Sequence, residues 1–289
     1  MPLTALALVL LSALLHASWN LAYKRSGGGR AFMLAYSVAA VVLYAPVAFV
    51  AWRMLPAGAR ALTPQQWLFA LGSGVIHFGY FVLLDKAYRV GDLSVVYPVA
   101  RSTGPLLTVG GAMLLFAERP TAVALTGAAL IAAGAFFIAG GRSADAHKPR
   151  GVSVAFALAT GLFIAVYTMW DRYAVRNLGL PVVLLDWLSG SFRLALMLPL
   201  FWRWRGDARV AARTQWRAIG FIAAVSPLSY MLALYAMTLA PLAYVAPARE
   251  SSVIFGALFG TLLLREGQVA RRVGCAAVMC AGLALLATH

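Results

Sequence analysis

Ten apolar stretches, each about long enough to cross a bilayer, occupy nearly all of this 289-residue chain. A membrane-crossing helix needs about 20 mostly apolar residues, because lipid offers the backbone no hydrogen-bond partner. The pattern predicts spans near residues 3–23, 31–52, 66–84, 93–116, 121–140, 152–170, 182–202, 218–238, 243–264 and 273–287. The expected fold class is an all-α polytopic membrane protein with ten transmembrane helices. Composition excludes a soluble fold: 62% of residues are hydrophobic and 11% charged, where soluble domains carry roughly a quarter charged residues.

The longest polar connections, near 141–151 and 203–217, leave no room for a soluble domain, so function must lie inside the bundle. No Lys or Arg precedes residue 24 and no small-residue cleavage signal follows, so the first stretch reads as a span rather than a signal peptide. Cys275 and Cys280 are the only cysteines. Five apart on one helix, they share no face and suggest neither disulfide nor metal site. Signatures for nucleotide, dinucleotide, zinc or acyl-enzyme chemistry are missing, so no cofactor is expected.

A net charge of +15 raises the question of nucleic acid, but the basic residues are scattered over short loops rather than gathered on one face. Lipid headgroups are the expected partner. Between 203 and 217, Arg205, Arg209, Arg213 and Arg217 recur every fourth residue beside Trp202, Trp204 and Trp216. That suits a helical turn on an anionic membrane surface; a solvated basic loop that fixes orientation explains it equally well. Alternate loops, beginning with the first, hold 16 Lys and Arg against 5 in the others. The positive-inside rule then places those loops in the cytoplasm and both termini outside.

The second five stretches repeat the first five. An offset of 149 pairs Ala87 with Ala236, Leu93 with Leu242, Pro98 with Pro247, Ser102 with Ser251 and Gly111 with Gly260; after one gap, Glu118 meets Glu266 and Gly134 meets Gly282. An offset of 151 pairs Trp19 with Trp170, Arg25 with Arg176 and Gly28 with Gly179. Residues 1–140 and 152–289 are read as the two repeats, with 141–151 as linker. Five is odd, so the second copy must enter the membrane upside down, the inverted-repeat plan of many secondary transporters.

The segment "GDLSVVYPVARSTGPLL" leading to "FAERPT", its partner "APLAYVAPARESSVIFGALFGTLLLREG", and "LLHASWNLAYKRSG" at 14–27 resemble the signature regions of EamA-type carriers in the drug/metabolite transporter superfamily. The resemblance covers essentially the whole chain. It implies a ten-helix basket, a central cavity between the halves, and export of small organic solutes such as amino acids across a bacterial-type plasma membrane. It also implies cytoplasmic termini, opposite to the loop charges, so both orientations stay open.

Arg101, Arg249 and Glu250 fall within roughly 8 Å of the predicted mid-depth of their spans. Charge in a lipid-facing helix costs several kcal/mol, so these side chains are expected to face the bundle interior. The repeat makes Arg101 and Glu250 partners of opposite sign, or, with a one-residue gap, Arg101 and Arg249 partners of like sign. Pro98, Pro105 and Pro247 sit nearby, and interrupted helices at matching places in two halves mark binding sites. Arg101 is expected to hold a substrate carboxylate and Glu250 an ammonium or a coupling proton. The competing reading is an ion pair that only locks the bundle.

His16 and Asn20 share a face of the first span near Trp19, and His77 lies near the centre of the third with Tyr80 a turn later. They are candidates for the same cavity, with histidine suited to proton exchange, although polar residues inside membranes also serve as glue between helices. Of Tyr97, Tyr167, Trp170, Tyr230 and Tyr235, only Tyr97 and Trp170 are taken as candidate substrate contacts. Asp186 and Arg193, two turns apart, read as a structural pair, and Gly256 with Gly260 as a close-packing patch. An intramembrane enzyme lacks any supporting spacing. A channel or structural subunit fits the sequence better, and the oligomeric state is not legible in it.

Overall fold

The structure is a computed structural model that describes residues 1–90, 93–139, 150–263 and 269–288. Twelve α-helices follow in order: α1 (Leu3–Arg25), α2 (Arg30–Arg53), α3 (Pro64–Val90), α4 (Leu93–Leu115), α5 (Ala122–Ala139), α6 (Arg150–Arg176), α7 (Val182–Phe201), α8 (Arg205–Thr214), α9 (Trp216–Leu239), α10 (Leu242–Arg249), α11 (Ser251–Leu263) and α12 (Val269–Ala287). Among the described residues, seven are long and apolar enough to cross a membrane: α1, α2, α3, α6, α7, α9 and α12. The chain is a multi-pass integral membrane protein.

Side-chain size sorts inside from outside. Large apolar groups such as Leu3, Val42, Leu114 and Leu115 are exposed, while the buried set is rich in alanine: Ala5, Ala70, Ala112, Ala124, Ala128 and Ala135. Lipid is as apolar as leucine, so helices gain by close approach rather than by hiding apolar surface from water. At the contact of α5 and α12, a Cβ added to Gly127 would lie 2.7 Å from the Gly282 carbonyl oxygen, and one added to Gly282 would lie 2.6 Å from that of Gly127. Gly256, by contrast, faces open space, while Gly260 on the same helix is buried, so only one of the two residues of the expected small-residue patch faces inward.

The packing respects the sequence repeat. α1 lies on α9 as α6 lies on α3; α4 lies on α6 as α10 and α11 lie on α1; α3 meets α7 as α9 meets α2. The α2–α7 and α5–α12 contacts map onto themselves. Gly28 and Gly179, repeat partners, both take positive φ, 56° and 64°, a region glycine enters without steric cost. Across the halves, Ser12 donates to the Ser229 carbonyl at 2.7 Å and Ser229 donates back to that of Ser12 at 3.0 Å.

Two features depart from the sequence reading, and a third chooses the helical alternative for the basic loop. The sixth span, expected to end at 170, continues as α6 to Arg176, which carries Asp171 into the bundle. The matching interruptions are not matched: α4 is continuous through Arg101, whereas the stretch expected as the ninth span breaks at Glu250. Pro247 removes the amide that would bond the carbonyl four residues back, and the chain tightens there, with Glu250 N–H donating to the Pro247 carbonyl at 2.9 Å and Val253 N–H to that of Glu250 at 2.8 Å. Residues 205–214 form α8, short and basic, packed on α2 with Ala208 buried. The linker expected at 141–151 lies mostly outside the described residues.

Candidate functional site

A cavity of 530 Å³ opens between the two repeats, walled by α1, α2, α3 and α4 on one side and by α6, α7, α9 and the α10–α11 break on the other. Its volume falls in the range of small-molecule sites, roughly 300–1,000 Å³. Eight of the ten residues chosen from sequence line it: His16, Trp19, Asn20, His77, Tyr80, Arg101, Arg249 and Glu250. Tyr97 has a side chain outside the described residues. Trp170 does not line the cavity.

Two of the buried charges that the repeat offset makes symmetry partners are in contact. Arg101 Nη2 lies 3.1 Å from Glu250 Oε2 and also donates to Ser252 Oγ at 2.8 Å. The break after Arg249 turns Glu250 toward α4, and the reach of two long side chains closes the gap between helices. Glu250 is 8% exposed and Arg101 19%, so the pair is shielded from lipid and borders the cavity.

More charge lines the walls than the sequence reading assigned. The Arg249 guanidinium lies 5.0 Å from the Tyr230 ring centroid, and no carboxylate among the described residues comes within ion-pair distance of it. Arg193 lies over Phe81 at 5.4 Å. The expected Asp186–Arg193 pair does not form: both side chains line the cavity and make no ion pair with one another. Seven residues is two turns, about 10 Å of rise, and each head turns into the chamber instead. Toward the α1–α2 loop, Arg30 and Asp85 pair at 2.7 Å with 29% and 41% exposure, so this rim of the lining is partly open to the outside.

Aromatic rings furnish the rest. Tyr167 sits 4.3 Å from the His77 ring and 5.7 Å from Tyr80; Tyr230 sits 5.5 Å from His77. Asn20 donates to the His16 carbonyl at 2.7 Å, and His16 meets Trp19 edge-on at 5.2 Å. Beneath this wall, Tyr230 Oη donates to Asp171 Oδ2 at 2.5 Å. His77 Nε2 stands 4.0 Å from the same oxygen.

Trp170 belongs to a stack that lies away from the lining. Its ring is 4.2 Å from Phe69, which in turn is 5.0 Å from Tyr173, and its indole N–H donates to the Phe69 carbonyl at 2.8 Å. Beside the stack, Arg172 covers the Phe116 ring at 3.8 Å and reaches Glu118 at 3.4 Å. The Glu118 carboxylate accepts the Leu242 and Ala243 amides at 3.0 and 2.9 Å, placing negative charge at the positive end of α10. Repeat symmetry put Trp170 with Trp19; packing separates them, because Gly72 gives the Trp170 ring a slot on α3.

Sequence reasoning passed over Asp171, Tyr167 and Tyr230 as site residues. Asp171 fell one residue beyond a span drawn too short. The two tyrosines are indistinguishable from interfacial anchors without the fold; Tyr235, half exposed and off the cavity, is one that stays outside.

Two stretches, residues 3–140 and 151–288, match the EamA-like transporter family. The chain belongs to that family. A solved crystal structure shares this EamA-like fold, with a TM-score of 0.71 at 16% identity over 99% of this chain and 96% of its own. No curated protein matches the EamA-like chain.

Proposed function

We propose that this EamA-like protein is a secondary transporter that exports a small polar or zwitterionic metabolite, such as an amino acid, by alternating access with proton coupling. In this reading α4, α5 and the α10–α11 pair complete ten spans, and the odd number per half inverts the second repeat. The observation that carries the proposal is the mixed-charge cavity between the repeats, with the Arg101–Glu250 pair on its wall. An uncharged or purely cationic pathway has no use for so many buried guanidinium groups.

A zwitterion fits the pair as an exchange. Its carboxylate replaces Glu250 at the Arg101 guanidinium, its ammonium takes the released Glu250 carboxylate, and the net charge inside the membrane stays the same. Arg249 offers the carboxylate a second guanidinium, and the tyrosine faces accommodate an apolar or aromatic body. The partly open Arg30–Asp85 rim lies on the side of the basic loops, which the loop charges place in the cytoplasm; loading from that side suits an exporter. The Phe69–Trp170–Tyr173 stack and the Glu118–Arg172 bridge lie toward the other face and are the contacts that must part for release.

Saturable counterflow of a radiolabelled mixture of the standard amino acids in proteoliposomes is the expected result. Arg101→Ala and Glu250→Gln should each abolish it while leaving folded protein in the membrane. Linear, non-saturating flux would instead mark a channel, and unchanged counterflow in both variants would leave the pair a purely structural lock.

A further inference from the structure

Behind the cavity wall lies a carboxylate that the substrate reading does not use. Asp171 is completely buried and does not line the cavity. Its Oδ2 accepts the Tyr230 hydroxyl at 2.5 Å, and its Oδ1 is buried with no hydrogen-bond partner. A carboxyl group so placed has given up its hydration and is met by neutral hydroxyl groups rather than by a cation at ion-pair distance. Its neighbours supply the route. His77 Nδ1 is 2.9 Å from the Ser73 carbonyl oxygen; a carbonyl only accepts, so Nδ1 carries the hydrogen and the exchangeable position is Nε2. That is the atom 4.0 Å from Asp171 Oδ2. His77 and Tyr230 both reach the cavity, so Asp171 communicates with it through two side chains, one from each repeat.

From this geometry we propose that Asp171, reached through His77 and held by Tyr230, is the coupling-proton site of the transporter; the proposal rests on the transport reading and names its driving ion's binding residue. A proton from cavity water binds His77 Nε2 and, once a small swing of the ring closes the 4.0 Å gap to hydrogen-bond distance, passes to Asp171 Oδ2, leaving a neutral imidazole and a neutral carboxylic acid; release runs the same transfer backwards. The groups that face this site are His77 from α3, Tyr167 from α6 itself, Tyr230 from α9, Asp186 and Arg193 from α7, and Arg249 at the end of α10. Arg101, on α4, is engaged by Glu250. The Arg193 and Arg249 guanidiniums oppose a further positive charge here, so a substrate ammonium held at Glu250, the residue next to Arg249, and a proton on the cluster repel one another. Mutual exclusion of proton and substrate is the linkage that exchange requires.

Infrared difference spectra of the purified protein between acid and alkaline pH test the site directly. The wild type should gain a protonated-carboxyl band at acid pH, Asp171→Asn should lose it, and Tyr230→Phe should shift its midpoint. The same band in Asp171→Asn would overturn the proposal. In proteoliposomes, Asp171→Asn should lose accumulation of the amino-acid mixture driven by a pH gradient at least tenfold, with counterflow falling far less. Equal accumulation in variant and wild type would overturn the coupling role. Absence of counterflow in the wild type would instead sink the transport reading and leave the infrared result to decide the proton site. Should Asp171→Asn fail to fold, Asp171→Glu and Tyr230→Phe carry the infrared test, and a band midpoint unmoved in both overturns it.

Discussion

Removing one member of the Arg101–Glu250 pair strands the other in the bundle, and the cost follows from the geometry. At 3.1 Å and an effective dielectric near 20, the attraction is about 5 kcal/mol. Water in the cavity reaches the 19%-exposed arginine, which lowers the expected loss for Arg101→Ala or Glu250→Gln to about 3 kcal/mol each. The two losses share a single interaction, so the double variant should lose about as much as one single variant, a coupling of about 3 kcal/mol. Unfolding of the four proteins in detergent measures this cycle, and counterflow of the same four separates the two roles. The double variant should be no less stable than either single variant while its transport stays lost, because the substrate then has neither anchor. Additive losses, agreeing within about 0.5 kcal/mol, would show that the pair carries no coupling. Restored transport in the double variant would show that it only locks the helices.

Glu118→Gln should destabilise the fold by about 1–3 kcal/mol, since it weakens two charge-assisted bonds to the start of α10 and the bridge to Arg172; a melting curve checks the loss, and faster thiol labelling of cysteines placed beside Trp170 checks that this face opens more often. Gly127→Ala drives a Cβ to 2.7 Å from a backbone oxygen, which no rotamer relieves, and should cost about 1–3 kcal/mol, whereas Gly110→Ala, facing open space, should leave the melting temperature unchanged. In a background with Cys275 and Cys280 replaced by serine, Arg209→Cys on α8 should react with a membrane-impermeant maleimide only after cells are opened; labelling of intact cells would reverse the orientation taken from the loop charges.

What the sequence determined by itself was the solvent and the symmetry. Hydrocarbon requires long apolar helices and leaves charge within a span no place except the interior, so Arg101, Arg249 and Glu250 were expected to face inward before any fold was known, and they line the cavity. The repeat offset then matched Arg101 with Glu250, and both constraints are one-dimensional, readable along the chain. Tertiary structure decided everything that depends on where one helix faces another. It turned Trp170 into a stack on Phe69 while its repeat partner Trp19 kept the cavity, and it left Arg193 and Asp186 apart as two separate wall charges. It broke the expected ninth span at Glu250 but not the expected fourth at Arg101, although both carry proline. It also drew Asp171, one residue past an expected helix end, under Tyr230 and His77. The physical reason is the same in each case: in a bundle whose core and surroundings are equally apolar, composition does not say which face of a helix is buried, and only packing chooses.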